Sequence, residues 1–316
     1  MKVTDSLAKA EKTLFSLEVL PPLKGQAISD LFDHLDELME FKPAFVDVTY
    51  HREEFIYEPM PNGLLKKRTV RKRPGTVGIC AAIKNKYGID PVPHIICGGF
   101  TKEETENALI DLHFLGINNV LLLRGDAPKG ESFKPEPEGH AYASELLEQV
   151  SNMNKGKYLD LELANTQSSD FCIGVAGYPE KHLEAPNIQS DLRYLKMKQD
   201  LGAEYIVTQM FFDNQAYFDF VNKCRNNGIN IPIIPGLKPL ATARQIQSIP
   251  KHFSVNIPDE LVSEVEKATS KAAINEIGIE WGIQQSKELI AAGVPSIHFY
   301  TMGKSKAVRK IAEAVF

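Results

Sequence analysis

Residues 101–126 decide how the chain folds. They open with Thr101-Lys102-Glu103-Glu104, pass through the apolar positions Ala108, Leu109, Leu112 and Leu115 to Gly116, and end in Asn119-Val120-Leu121-Leu122-Leu123-Arg124-Gly125-Asp126. The start is a capping box: the Thr101 hydroxyl and the Glu104 carboxylate each accept from a backbone N–H that a helix start leaves without a partner. Apolar residues three and four apart give one buried face, and a glycine suits the left-handed turn that stops a helix. The next run is apolar at each position from Val120 to Leu123, as in a strand covered on both faces. A helix feeding such a strand through a short turn is half of a parallel β–α repeat.

The same pattern recurs on either side. Apolar and β-branched runs predict strands at 13–20, 44–50, 93–97, 119–125, 171–177, 204–210, 231–236 and 296–300. Helical spacing lies between them, for example at Leu31, Phe32, Leu35, Leu38 and Met39, and in a long run at 272–292 that stops at Gly293. Eight strands alternating with helices, with no shift in composition to mark a boundary, predict an α/β fold. The expectation is a single-domain (β/α)8 TIM barrel over 1–316, with a doubly wound sheet as the alternative. The stretch at about 128–170, with Pro135-Glu136-Pro137-Glu138-Gly139 and Asn154-Lys155-Gly156-Lys157, reads as an inserted loop with one helix at 141–153. On the active face of a barrel such an insertion often covers a ligand.

Composition removes several classes of function. Of the 316 residues 43% are hydrophobic and 24% charged, and the net charge is -5. No apolar run is long enough to span a bilayer, and the N-terminus lacks the apolar core and cleavage site of a secretory signal, so a cytoplasmic protein without a membrane partner is expected. Cys80, Cys97, Cys172 and Cys224 form no C-x-x-C pair and read as buried reduced thiols. The basic run from Lys66 to Arg73 sits in a net acidic chain and has no aromatic residues among its cations. It therefore predicts a solvated loop or helix start and not a nucleic-acid surface. There is no G-x-G-x-x-G, Walker A or G-x-S-x-G sequence, and the first strand does not end in H-x-H. His94 and Cys97 are the nearest approach to a metal pair, and no metal site is expected.

Barrel enzymes build their sites at the C-terminal ends of the strands. Here those ends carry Glu18, Thr49, Tyr50, His51, Arg124, Asp126, Tyr178 and Gln209. Glu18, within Ser16-Leu17-Glu18-Val19-Leu20-Pro21-Pro22, and Asp126 both stand at the lip of an apolar strand. A carboxylate there is costly unless it is paired, solvated or used. Desolvation disfavours the ionised form, so the Glu18 pKa should rise toward working pH, as a general acid requires. The structural alternatives are a glutamate paired with a basic side chain, a turn aspartate after Gly125, a satisfied core histidine at His94 and plain packing at Tyr178.

Several stretches, ordered along the chain at strand ends, carry a family resemblance. They are Ser16-Leu17-Glu18 with Pro21-Pro22, Val48-Thr49-Tyr50, Pro93-His94, Leu123-Arg124-Gly125-Asp126, Tyr142-Ala143-Ser144, Tyr178-Pro179-Glu180-Lys181-His182, Thr208-Gln209-Met210-Phe211-Phe212-Asp213, Ile234-Pro235-Gly236 and His298-Phe299-Tyr300-Thr301. In these the chain resembles the methylenetetrahydrofolate reductase family over nearly its whole length. The resemblance implies a barrel with FAD at its mouth, and NADH or NADPH and a folate taking turns over the flavin in a ping-pong reaction. It implies Glu18 as the general acid and Asp126 beside the pterin and flavin. For FAD it implies Thr49, Tyr50, His94, Arg124, Gly125, Asp126, Tyr142, Ala143, Tyr178, His182, Ala185, Asp191 and Lys198. For the substrates it implies Asp126, Gln209, Gln245 and Lys304. A homo-oligomer is expected.

The chain departs from the family in places. Tyr300-Thr301-Met302-Gly303-Lys304 stands where Tyr-Thr-Leu-Asn-Arg is usual, so a point charge replaces a bidentate arginine. Tyr194, Met197 and Leu183 replace residues of the adenine side. The basic run at 66–73 offers a second expectation, a border of the nicotinamide site that selects NADPH over NADH. Because the chain ends at Phe316, neither a C-terminal regulatory domain nor control by S-adenosylmethionine is expected.

Overall fold

A computed structural model describes residues 1–127 and 131–316. The first half runs α1 (Val3–Lys9), β1 (Leu14–Val19), α2 (Ser29–Asp36), β2 (Val46–Val48), β3 (Glu54–Pro59), β4 (Leu65–Val70), α3 (Thr76–Tyr87), β5 (Pro91–Ile96), α4 (Lys102–Phe114) and β6 (Asn119–Leu123). It continues with α5 (Ala143–Met153), β7 (Cys172–Gly177), α6 (Ile188–Asp200), β8 (Tyr205–Thr208), α7 (Asn214–Asn226), β9 (Ile233–Ile234) and β10 (Gly236–Leu237). Three helices, α8 (Gln245–Phe253), α9 (Asp259–Lys267) and α10 (Lys271–Ala291), precede β11 (Ser296–Tyr300) and α11 (Lys306–Val315).

Nine strands form one parallel sheet in the order β10-β11-β1-β2-β5-β6-β7-β8-β9. β9 pairs with β8 and β10 with β11. Pro235 lies between the two short strands; it has no N–H to offer a ladder, but its carbonyl accepts from the His298 N–H at 2.9 Å. β9 and β10 are thus two halves of one interrupted strand, and the ring is a (β/α)8 barrel. All eight sequence-predicted strands are present, the seventh split at its proline. The helix that opened the sequence reading is α4, with the Glu104 N–H on Thr101 Oγ1 at 3.2 Å, the Thr101 N–H on Glu104 Oε2 at 2.8 Å, and Gly116 left-handed at φ 66°.

Alternation along the strands separates two cores. Phe15, Leu17 and Val19 of β1 join the helix-facing cluster with Val46, Val48, Leu122, Val175, Ile206, Leu237 and Phe299. The inward floor is made by Phe45, Val92, Leu121, Cys172, Tyr205, Val207 and Ile234, and α1 closes it from below with Val3. The Val3 N–H donates to Asn119 Oδ1 at 2.9 Å, which ties that plug to β6. All four cysteines are buried and free. Among the described residues no helix is long and apolar enough to cross a membrane.

The basic run corrects the sequence reading. Lys66 to Val70 lie in β4, the second strand of an antiparallel hairpin with β3 that projects after β2. Cross-strand pairing explains why: Lys67 Nζ sits 3.5 Å from the Phe55 ring centroid, and Arg68 pairs with Glu58 at 2.7 Å. Asn62-Gly63 at the tip, with Gly63 at φ 78°, is the turn signal that the charges obscured. At the base Arg71 donates to the Tyr50 hydroxyl and Arg73 to the Pro21 carbonyl, anchoring the hairpin to the ends of β2 and β1.

The insertion holds α5 as expected, and Pro128, Lys129 and Gly130 at its start lie outside the described residues. Its Phe133 ring lies 4.8 Å from the Arg124 guanidinium. Inside the barrel a Cβ on Gly174 would meet the Tyr205 ring at 2.3 Å. Gly174→Ala is therefore expected to lower stability by about 1–3 kcal/mol, the usual range for overpacking. Urea unfolding of the two proteins measures this, and an unchanged midpoint would contradict the packing described.

Candidate active site

Glu18 occupies the upper inward position of β1 and is 9% exposed. Its strand neighbours in register are Asp47 of β2 and Tyr300 of β11. His94 of β5, 4% exposed, reaches between the carboxylates: its Nε2 lies 3.2 Å from Asp47 Oδ2 and 3.7 Å from Glu18 Oε2. Asp47, if ionised, can only accept, so Nε2 carries the proton of that hydrogen bond. Burial pushes the Glu18 carboxyl up, His94 and Lys238 pull it down and Asp47 pushes it up, with a net rise to about 7. Burial pulls His94 down, but its bond to Asp47 and the charges of Glu18 and Asp47 outweigh this, and its pKa rises. With its pKa near 7, Glu18 keeps its proton for part of the time at neutral pH, beside the hydrogen-bonded His94 and Asp47.

Beneath them His298 accepts or donates at Nδ1 to Ser16 Oγ over 3.1 Å and stacks on Phe45 at 5.9 Å. Burial brings its pKa down to about 4, so it is neutral. His94 and Cys97, the pair weighed for a metal, face opposite ways: the imidazole points inward and the thiol joins the helix-facing core.

A second group of predicted residues gathers beside the ends of β6 and β7. Gly125 has φ +81° and its absent Cβ would meet Ile96 at 3.2 Å, so glycine lets the turn after Arg124 close over β5. Arg124 pairs with Glu184 at 2.6 Å. Asp191, in the first turn of α6, accepts from the His182 N–H at 2.6 Å, and the Tyr178 and His182 rings meet edge to face at 4.7 Å. The Ala185 N–H closes the same loop onto the His182 carbonyl at 3.0 Å. Lys198, one helix face along, is held below the ordinary lysine range by burial, with Asp191 and Cys97 opposing, and makes no ion pair among the described residues. Two cations thus stand by this loop, Arg124 paired with Glu184 and Lys198 buried, a charge arrangement suited to a phosphate-bearing ligand.

The remaining predicted residues are more scattered. The Thr49 hydroxyl and N–H both donate to the Val19 carbonyl, tying β2 to β1, and Tyr50 packs edge to face on Phe100 at 4.9 Å. Tyr142, 60% exposed, precedes α5, and Ala143 begins that helix buried. The Gln209 Oε1 accepts from the Met210 N–H at 2.9 Å, and its NH2 has no partner among the described residues. The Gln245 Oε1 accepts from Ala241 and Thr242, so that side chain is committed at its oxygen to shaping the turn before α8. Lys304 is exposed. Asp126 differs from expectation: it lies past the end of β6, exposed, so the desolvation argument applies to Glu18 and not to it.

Asp47 and Lys238 were absent from the sequence reading. The signal for Asp47 was a carboxylate between Val46 and Val48, a position that alternation turns into the barrel.

Fold and site together define a (β/α)8 barrel with a buried carboxylic acid at its mouth and two cations, Arg124 and Lys198, beside it. The family model described as methylenetetrahydrofolate reductase matches residues 2–315, and the chain belongs to that family. It is 32% identical to "Methylenetetrahydrofolate reductase 1" of Schizosaccharomyces pombe over 99% of this chain and 48% of that protein. To "Methylenetetrahydrofolate reductase (NADH) 1" of Arabidopsis thaliana it is 32% identical over 97% of this chain and 49% of that one. It spans about half the length of these relatives, but it is 31% identical to the Escherichia coli "5,10-methylenetetrahydrofolate reductase" over 96% of this chain and 91% of that protein. A Clostridium thermocellum protein solved with two copies of 5-methyl-5,6,7,8-tetrahydrofolic acid shares the fold at TM-score 0.57 and 14% identity, covering 99% of this chain and 98% of that one.

The raised Glu18 pKa has a sign for stability. The folded protein holds this proton more tightly than the unfolded chain, so the contribution is fully present below pH 4.5 and is lost as pH rises toward about 7. Glu18→Gln does not titrate, and it is expected to match the parent near pH 4 and to exceed it above pH 7 by up to roughly 3 kcal/mol. Thermal unfolding across pH measures this, and parallel curves would contradict the burial of the acid.

Proposed function

We propose that this chain reduces 5,10-methylenetetrahydrofolate to 5-methyltetrahydrofolate, taking electrons from NADH or NADPH by way of FAD in a ping-pong sequence. The observation that carries the reading is Glu18, an inward carboxyl with its pKa raised to about 7 at the mouth of a barrel of this family. A closed methylene bridge accepts hydride poorly until a ring nitrogen is protonated and the five-membered ring opens. Glu18 has a proton to give near neutral pH at the mouth, and His94, hydrogen-bonded to Asp47, stands behind it.

The residues of the second group fit FAD. Lys198 and Arg124 suit its diphosphate, Asp191 a ribose hydroxyl, and Thr49, Tyr50, His94, Gly125, Tyr142, Ala143, Tyr178, His182 and Ala185 border the space assigned to it. When bound, FAD would accept hydride from the nicotinamide and pass it to the folate. Asp126 supplies a negative charge beside the pterin, Gln209 an amide that both donates and accepts, Gln245 an NH2 without a partner among the described residues, and Lys304 a cation for the folate carboxylate. The reaction belongs to a cytoplasmic protein of one-carbon metabolism, and an assembly of identical subunits is part of the reading.

Anaerobic stopped-flow absorbance at the flavin band tests both halves. NADH or NADPH is expected to bleach the protein and methylenetetrahydrofolate to restore the band, with the faster donor identifying the preference. Glu18→Gln is expected to bleach but to lose recovery by about a hundredfold or more. Protein that binds no FAD, or a variant that recovers at the parent rate, would overturn the proposal or its acid respectively.

A further inference from the structure

Lys238 follows Leu237 at the C-terminal end of β10. Leu237 packs outward and pairs with Phe299, which is also outward, so alternation turns Lys238 into the barrel. Continuing the register by one residue sets it beside Tyr300, which pairs with Glu18, which pairs with Asp47. Lys238, Tyr300, Glu18 and Asp47 therefore make one inward row across four neighbouring strands at the mouth. Lys238 is half-buried and has no ion pair among the described residues.

Four titratable side chains face Glu18: His94 from β5, Asp47 from β2, Tyr300 from β11 and Lys238 from the end of β10. His94 and Asp47 are bonded to each other and act on Glu18 with opposite sign, and burial keeps the Tyr300 phenol neutral. Lys238 feels both Glu18 and Lys304: burial lowers its pKa, Glu18 raises it and Lys304 lowers it. Among the described residues this leaves Lys238 as the cation facing Glu18 that no other carboxylate claims.

We propose that Lys238 is the counter-cation of Glu18, stabilising the carboxylate that remains when the acid has given up its proton. The O–H bond of Glu18 breaks, the proton goes to a ring nitrogen of the substrate, and the electron pair stays on the carboxylate. That anion forms in a poorly solvated mouth, and an ammonium two strands along the same row lowers the free energy of the charge that develops during the transfer. Lys238 is thus a positioning residue for this reaction. Its role rests on the reading of Glu18 as the proton donor.

The test compares Lys238→Met, which keeps the apolar stem and removes the charge, with Lys238→Arg, which keeps the charge. For Lys238→Met the alkaline limb of the folate half-reaction is expected to move up by about one pH unit and the rate below that limb to fall about tenfold. Lys238→Arg is expected to bring both back toward the parent. A second readout needs no turnover: the pH window over which thermal stability falls should extend about one unit higher in Lys238→Met than in the parent. If Glu18→Gln abolishes the folate step while the limb and the stability window of Lys238→Met stay in place, the role of Lys238 is overturned alone. If Glu18→Gln still reduces the folate at the parent rate, the acid assignment fails and this role fails with it.

Discussion

A carboxyl group inside a closed ring of strands cannot draw on bulk water, and its neighbours have to make up for that solvation. Glu18 is in this position, and each inward residue around it responds to the same constraint. Asp47 adds a second carboxylate and makes ionisation of Glu18 harder; His94 joins the two and offsets one charge; Lys238 faces the acid from across the row. The outcome is an acid poised near neutral pH by burial first and by partially cancelling charges second. A single surface ion pair could not achieve this, because water would screen it.

The fold makes the constraint unavoidable. The ring closes only because the strand broken at Pro235 pairs through β9 on one side and β10 on the other, which brings Gly236, Leu237 and Lys238 beside β11. α1 stops the barrel from below and the three helices before β11 pack a separate cluster around Leu240, Leu261 and Val265. Beside the mouth, the β3–β4 hairpin spends most of its positive charge on its own glutamates and on the strand ends that anchor it. Its charge run is organised by cross-strand pairing along the hairpin.

Much of this was legible in the residues. Apolar runs of strand length, the Thr101–Glu104 box and stop glycines such as Gly116 gave the repeat because each is a local signal acting within a few residues. The misses share a cause as well. The 66–73 run is exposed as expected but forms a strand as far as Val70 and not a loop or helix start, because the partners Glu54 and Glu58 lie across a turn marked by Asn62-Gly63. Asp47 sits inside a strand and not at the strand end where a barrel site shows in sequence, and it owes its environment to β1 and β5. Asp126 was expected at a buried lip because the strand was read through Gly125; it ends at Leu123, which leaves the carboxylate in solvent. Lys238 has no sequence pattern at all, since what distinguishes it is a row that forms only when the barrel closes.

The central claim is that Glu18 keeps its proton near neutral pH. Infrared difference spectroscopy of the parent against Glu18→Gln, from about pH 4 to about pH 9, isolates the protonated carboxyl band of this one residue. A band that the variant lacks and that titrates with a midpoint near 7 is the predicted result. A midpoint near 4.5, the ordinary glutamate value, would contradict the account.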